Sequence, residues 1–159
     1  MSRTTLCMAS IDELMPLIQE QIARGHEVKL SPTGVSMLPM LRQGVDCVIL
    51  SKAPKTLRKY DIPLYRRENG QYVLHRVVRV KKNTYTCIGD NQFVYEKGIS
   101  HEQVIAVVTA FTKGEKQCSV HAFSYRLYCR FRHWTRVPRR AWRAVKGGLK
   151  RLFGRLKKS

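Results

Sequence analysis

Between residues 28 and 111 the chain consists of short runs rich in Val, Ile, Tyr and Thr, separated by turn residues. That pattern confines the body of the protein to a β-rich domain. The runs cover residues 46–50, 62–67, 72–80, 84–88 and 104–111. Asn69-Gly70, between the second and third, is a strong short hairpin signal, because these residue types accept the left-handed backbone of a tight turn. Lys82-Asn83 is the expected turn between the third and fourth runs. Short strands joined in this way are expected to pair antiparallel. Ahead of them, residues 10–25 read as one short helix. Ser10 and Glu13 stand at capping-box spacing, Ile11, Leu14, Met15, Ile18 and Ile22 recur at helical intervals, and Gly25 supplies the stop. Pro16 inside this stretch is expected to kink or split it. One such helix is too little for a helix-turn-helix reader of DNA.

Charge divides the chain. The formal net charge is +19, from thirty Lys and Arg against eleven Asp and Glu, yet residues 123–159 hold thirteen of the bases and none of the acids. The expected organisation is an N-terminal helix over 1–27, a mainly β domain over 28–122 and a basic amphipathic helical tail over 123–159. Within the tail, Trp142, Val145, Leu149, Leu152, Phe153 and Leu156 fall on one helical face, with Lys146, Lys150, Arg151, Arg155 and Lys157 on the rest. That composition fits an anionic membrane surface, ahead of nucleic acid or a merely solvated tail. Five scattered cysteines without a C-x-x-C pair fit free thiols better than a disulfide framework or a zinc site. Residues 1–10 lack the apolar run of a secretory signal. The longest mostly apolar stretch, residues 104–111, falls far short of the roughly 18–20 residues a membrane span needs. The expected location is the cytoplasm or the periphery of a membrane, and no metal or other cofactor is expected.

Three stretches carry chemistry. In Thr33-Gly34-Val35-Ser36-Met37-Leu38-Pro39 a glycine two before a serine frees the backbone to present the hydroxyl, and Pro39 blocks regular continuation. A serine hydroxyl is a weak nucleophile without a base beside it. The candidate base is His75, in Tyr72-Val-Leu-His-Arg-Val-Val-Arg-Val80. Strand alternation would place Val73, His75, Val77 and Arg79 on one face, where partial desolvation favours the neutral imidazole. The third stretch is Gly89-Asp90-Asn91, with Glu96 on the loop beyond it. Either Asp90 or Glu96 can serve as the acid that orients the imidazole. Taken alone, the serine and the histidine read more readily as structure, a turn serine and a core histidine, and Asp90 reads as well as an Asx-turn residue.

In order and at this spacing, Gly34-Val-Ser-Met-Leu-Pro39, Leu74-His-Arg-Val77 and Gly89-Asp-Asn91 together resemble the clan of type I signal peptidases and SOS-repressor-type self-cleaving peptidases. The resemblance covers about residues 28–112. It implies a signal-peptidase-like antiparallel β fold and a serine endopeptidase acting on an extended peptide or protein leader. Ser36 would be the nucleophile and His75 the base. His75-Arg76 looks like the endoplasmic-reticulum and archaeal type, which uses histidine where bacterial-type members use lysine. By position the triad acid falls to Glu96, where family members usually have Asp, with Asp90 supporting the site. Gly34 stands where signal peptidases usually carry a serine, so the oxyanion hole would rest on backbone N–H groups such as that of Ser36. Met37, beside the nucleophile, is the implied substrate contact. Gly44-Val45-Asp46 departs from a Gly-Asp pair usual in the family. An inactive peptide-binding or regulatory module of the same fold is the alternative, and a cationic membrane or nucleic-acid binder acting through the tail is another.

Overall fold

Residues 104–113 are apolar at most positions, which suits a strand paired on both edges and covered on both faces. In the computed structural model, which describes residues 4–6, 11–82, 84–142 and 144–145, this run becomes the hub of the larger sheet. In chain order the elements are β1 (Thr4–Leu6), α1 (Ile11–Ala23), β2 (Val28–Leu30), β3 (Val48–Ser51), β4 (Pro63–Arg66), β5 (Tyr72–Leu74), β6 (Arg76–Lys81), β7 (Thr84–Ile88), β8 (Glu96–Ser100), β9 (Val104–Lys113), β10 (Lys116–Ser119) and α2 (Phe123–Trp134). A further helical stretch covers 136–142. The larger sheet runs β1-β2-β3-β9-β4-β5, with β10 hairpinned onto the far half of β9, and the smaller runs β6-β7-β8.

Tyr65 of β4, Val77 of β6, Tyr85 and Cys87 of β7, Ile99 of β8 and Val107 of β9 pack with Leu57 into one buried cluster, so the core joins the two sheets. The chain divides into two compact units, Met1–Arg126 and Leu127–Ser159. Both sheets and the candidate site lie in the first. Among the described residues, Cys47, Cys87, Cys118 and Cys129 form no disulfide.

The hairpin expected at Asn69-Gly70 joins β4 to β5, with Tyr65 opposite Val73 and Arg66 opposite Tyr72. Only Gly70 takes positive φ, at 87°, so this is a longer loop than the two-residue turn the dipeptide signals. Helix α1 runs unbroken through Pro16 and buries Met15, Ile18 and Ile22; Gly25 (φ 81°) lies just past its end. Ser10 lies outside the described residues, as do Asn83 and the tail beyond residue 145.

Four expectations need correction. The run 72–80 is not one strand: β5 ends at Leu74 in the larger sheet and β6 begins at Arg76 in the smaller. His75 is the residue where the chain changes sheet, and the expected alternation fails there because Arg76 and Val78 are buried along with His75 and Val77. Glu96 opens strand β8 instead of lying on a loop. Strand β1 pairs with β2 in parallel, α1 serving as the crossover, while the other pairings are antiparallel. The antiparallel sheets, the N-terminal helix and helical structure after residue 122 are as expected, but with two C-terminal helical stretches the class is mixed α/β and not mainly β.

Candidate active site

The serine stands on a loop that regular structure cannot hold, so side chains hold it. Residues 31–46 contain no strand or helix. Gly34 sits at φ 83°, a left-handed conformation that suits glycine, and its N–H donates to Gln43 Oε1 at 3.0 Å. At the far end Asp46, fully buried, accepts from Arg42 Nε at 3.0 Å and Nη2 at 2.9 Å, and from the Gly114 N–H at 3.1 Å. The Arg42 hydrogen bonds outweigh burial and hold the Asp46 carboxyl well below the usual carboxylate range. Lys113 Nζ donates to the Pro39 carbonyl at 2.8 Å. The departure at Gly44-Val45-Asp46 is thus where this loop is clamped to the β9–β10 hairpin. Met37, Met40 and Leu41 turn inward and are buried.

The Gly-Asp-Asn stretch holds the serine from the other side. Asn91 donates its N–H to the Ser36 carbonyl at 2.8 Å and its side-chain Nδ2 to the Val35 carbonyl at 3.2 Å. Glycine is required at 89 by contact rather than by φ. A Cβ there would lie 2.6 Å from the Ser36 carbonyl oxygen, nearer than real Cβ atoms come.

Asp90 and Glu96 take different partners. Asp90, fully buried, accepts Arg76 Nε at 2.8 Å and Nη2 at 2.7 Å, a bidentate pair. Arg76 also donates to Tyr125 Oη at 2.6 Å and to Met40 Sδ at 2.9 Å. Glu96 is the acid that reaches the imidazole, with Oε1 3.0 Å from His75 Nδ1. Tyr65 Oη lies 3.3 Å from the same nitrogen and donates to Glu96 Oε2 at 2.8 Å. Arg67 grips the carboxylate from outside, through Nε to Oε2 at 2.9 Å and through Nη2 to Oε1.

This wiring sets the tautomer and the charge. An ionised carboxylate only accepts hydrogen bonds, so the proton sits on Nδ1 and the lone pair on Nε2. Burial pushes the His75 pKa down, and Arg67 adds to that, against the upward pull of Glu96. Burial raises the Glu96 pKa, but the hydrogen bonds from Arg67 and Tyr65 outweigh it and leave it lowered overall. The pair is therefore a neutral imidazole against a carboxylate. Cys87 nearby is an inert thiol, pushed up to about 12 by burial and then by Glu96.

His75 and Ser36 line one cavity of about 210 Å³, together with Gly34, Met37, Arg67 and Gln92. Its wall also includes Tyr72, Val73 and Leu74 of β5, which is an edge strand. Among the described residues no hydrogen bond joins Ser36 Oγ to His75, and the Ser36 N–H has no acceptor. Sequence reasoning reached Ser36, His75, Asp90 and Glu96 but missed Tyr65, Arg67 and Gln92. The first two were accessible through the hairpin: with the β4–β5 register set, Tyr65 and Arg67 fall on the face shared with Val73, and His75 comes two residues on.

No family model matches the chain, and neither a characterised protein nor a solved structure matches it. No helix of the described residues is long and apolar enough to cross a membrane.

Proposed function

We propose that this chain is a serine endopeptidase of the kind its three boxes resemble, a histidine-base relative of type I signal peptidases and SOS-type self-cleaving peptidases. The observation that carries the reading is the buried His75, its Nδ1 committed to Glu96 and Tyr65, on the cavity that Ser36 also lines. A peptide substrate pairs with the open edge of β5, main chain to main chain, which brings its scissile carbonyl over Ser36. His75 Nε2 takes the hydroxyl proton as Ser36 Oγ bonds to the carbonyl carbon. The developing oxyanion takes the Ser36 N–H. Collapse breaks the C–N bond, Nε2 protonates the leaving amine, and an acyl-serine remains. Water then gives a proton to Nε2 as its oxygen bonds to the acyl carbon, and collapse breaks the C–Oγ bond, returns that proton to Ser36 and releases the acid. Glu96 stabilises the imidazolium at each stage and Arg67 holds Glu96 in place as a positioning residue.

The test is covalent labelling by a fluorophosphonate probe of the full chain. Labelling is expected to occur and to vanish in both Ser36→Ala and His75→Gln. A probe that modifies Ser36→Ala as fast as the parent sinks the assignment. The missing Ser36–His75 hydrogen bond favours a second reading, a peptide-binding module that keeps the fold without the chemistry. Catalytic hydrogen bonds are often long before substrate arrives. A parent chain that binds extended peptides yet never labels would establish the binder.

A further inference from the structure

Helix α2 begins a stripe of exposed apolar side chains. Phe123, Leu127, Phe131 and Trp134 are 81%, 58%, 64% and 82% exposed. They recur at intervals of four, four and three, which is one face of an α-helix. Backbone bonds from the Thr135 N–H to the Phe131 carbonyl and from the Arg139 N–H to the Thr135 carbonyl carry the helical path past Trp134. Trp142 and Val145, also exposed, lie eight and eleven residues beyond Trp134, on the helical stretch that follows the turn at Thr135. Exposed large apolar side chains scattered singly are ordinary, but four in register on one helix form a contiguous patch of the kind that docks.

The charge around it selects the occupant. The segment 123–159 carries thirteen Lys and Arg and no acid. Among these, Arg126, Arg130 and Arg140 are exposed on the described helices. Self-pairing through this face would bring two strongly cationic segments together, which Coulomb repulsion opposes. Duplex nucleic acid would satisfy the arginines but leave an aliphatic and aromatic stripe without an apolar partner. An anionic bilayer takes both: headgroup phosphates for the bases, and the acyl boundary for Phe, Leu and Trp. We infer that the α2 face is an in-plane docking surface for anionic lipid, with the Phe131 and Trp134 side chains entering the interface. This goes beyond the peptidase reading and does not depend on it.

The chain has two tryptophans, Trp134 on this stripe and Trp142 on the helical stretch beyond it, so tryptophan fluorescence reports on these C-terminal helices alone. The full chain is titrated with phosphatidylcholine vesicles containing about 30% phosphatidylglycerol and with pure phosphatidylcholine vesicles. Expected are a blue shift and co-sedimentation with the anionic vesicles, weakened by salt. Phe131→Ser/Trp134→Ser should lower partition by about tenfold or more while fluorophosphonate labelling of Ser36 is unchanged. Binding that equals the parent's in that variant overturns the insertion. Equal partition onto neutral vesicles overturns the charge assignment. A blue shift produced by duplex DNA or by self-association, with none from vesicles, overturns the proposal in favour of those partners.

Discussion

His75 has Nδ1 tied to Glu96 and Tyr65, which leaves Nε2 for the role proposed for it, and its charge balance makes a signed prediction. In the proposed mechanism it must be neutral to accept the Ser36 proton, and burial holds its pKa below the ordinary 6.5, with Arg67 pulling it down and Glu96 pulling it up. Labelling of Ser36 should therefore rise through an apparent pKa below that value and be flat at neutral pH. Arg67→Met removes the cation and should move the acid limb to higher pH. Glu96→Gln removes the anion and should move it lower, while slowing the plateau rate on the order of 10²- to 10⁴-fold because the tautomer is no longer enforced. A pH–rate profile for each variant checks both directions; shifts of the same sign would contradict the arrangement. Stability tracks the same group. With the folded pKa depressed, its contribution is present above about pH 6.5 and is lost as pH falls through the folded value. His75→Gln should flatten that part of the denaturation profile.

At the level of elements, the serine loop is located by the Gly-Asp-Asn stretch just after β7, and the fit leaves no room for a methyl group. Gly89→Ala would put a Cβ 2.6 Å from the Ser36 carbonyl oxygen, a backbone atom that cannot rotate away. The loop has to shift, at a cost of about 1–3 kcal/mol. Urea denaturation should read that loss, and probe labelling should slow with it, because the Asn91 bond that aims Ser36 is displaced in the same movement. A variant with parental stability and labelling would mean that the loop is not held from this side. The hairpin at Asn69-Gly70 was legible in the sequence, and so was the pairing of β4 with β5. The break at His75 was not: a run of β-branched residues reads the same whether it stays in one sheet or hands over to another, because the local pattern does not encode which partner strand arrives.

Across the whole molecule, Arg76 joins parts that are remote in sequence: Asp90 after β7, Met40 on the serine loop, and Tyr125 at the start of α2. It is 2% exposed and Asp90 0%. Removing one member of a buried pair strands the other, so Asp90→Ala should cost about 3–5 kcal/mol by chemical denaturation. Arg76→Met in the same chain should recover much of that, because a thioether chain of similar length fills the space without a charge. Additive losses in the double-mutant cycle would show that the two side chains are not coupled. Asp90 is thus accounted for by a structural bond one residue from the imidazole, and Glu96, from a strand of the smaller sheet, supplies the carboxylate.

Sequence alone determined the features set by residue type and near neighbours: the strand-forming body, the amphipathic α1, the hairpin turn, the cationic C-terminal segment and the three boxes holding Ser36, His75 and Asp90, with Glu96 a few residues beyond the last. These are legible because propensity, periodicity and turn chemistry act over a few residues. Tertiary structure alone decided which acid meets the imidazole, that Tyr65 and Arg67 belong to that cluster, and that the chain changes sheets at His75. Those outcomes depend on register between strands far apart in the chain. A shift of one residue there would exchange the inward and outward faces and give Glu96 a different partner.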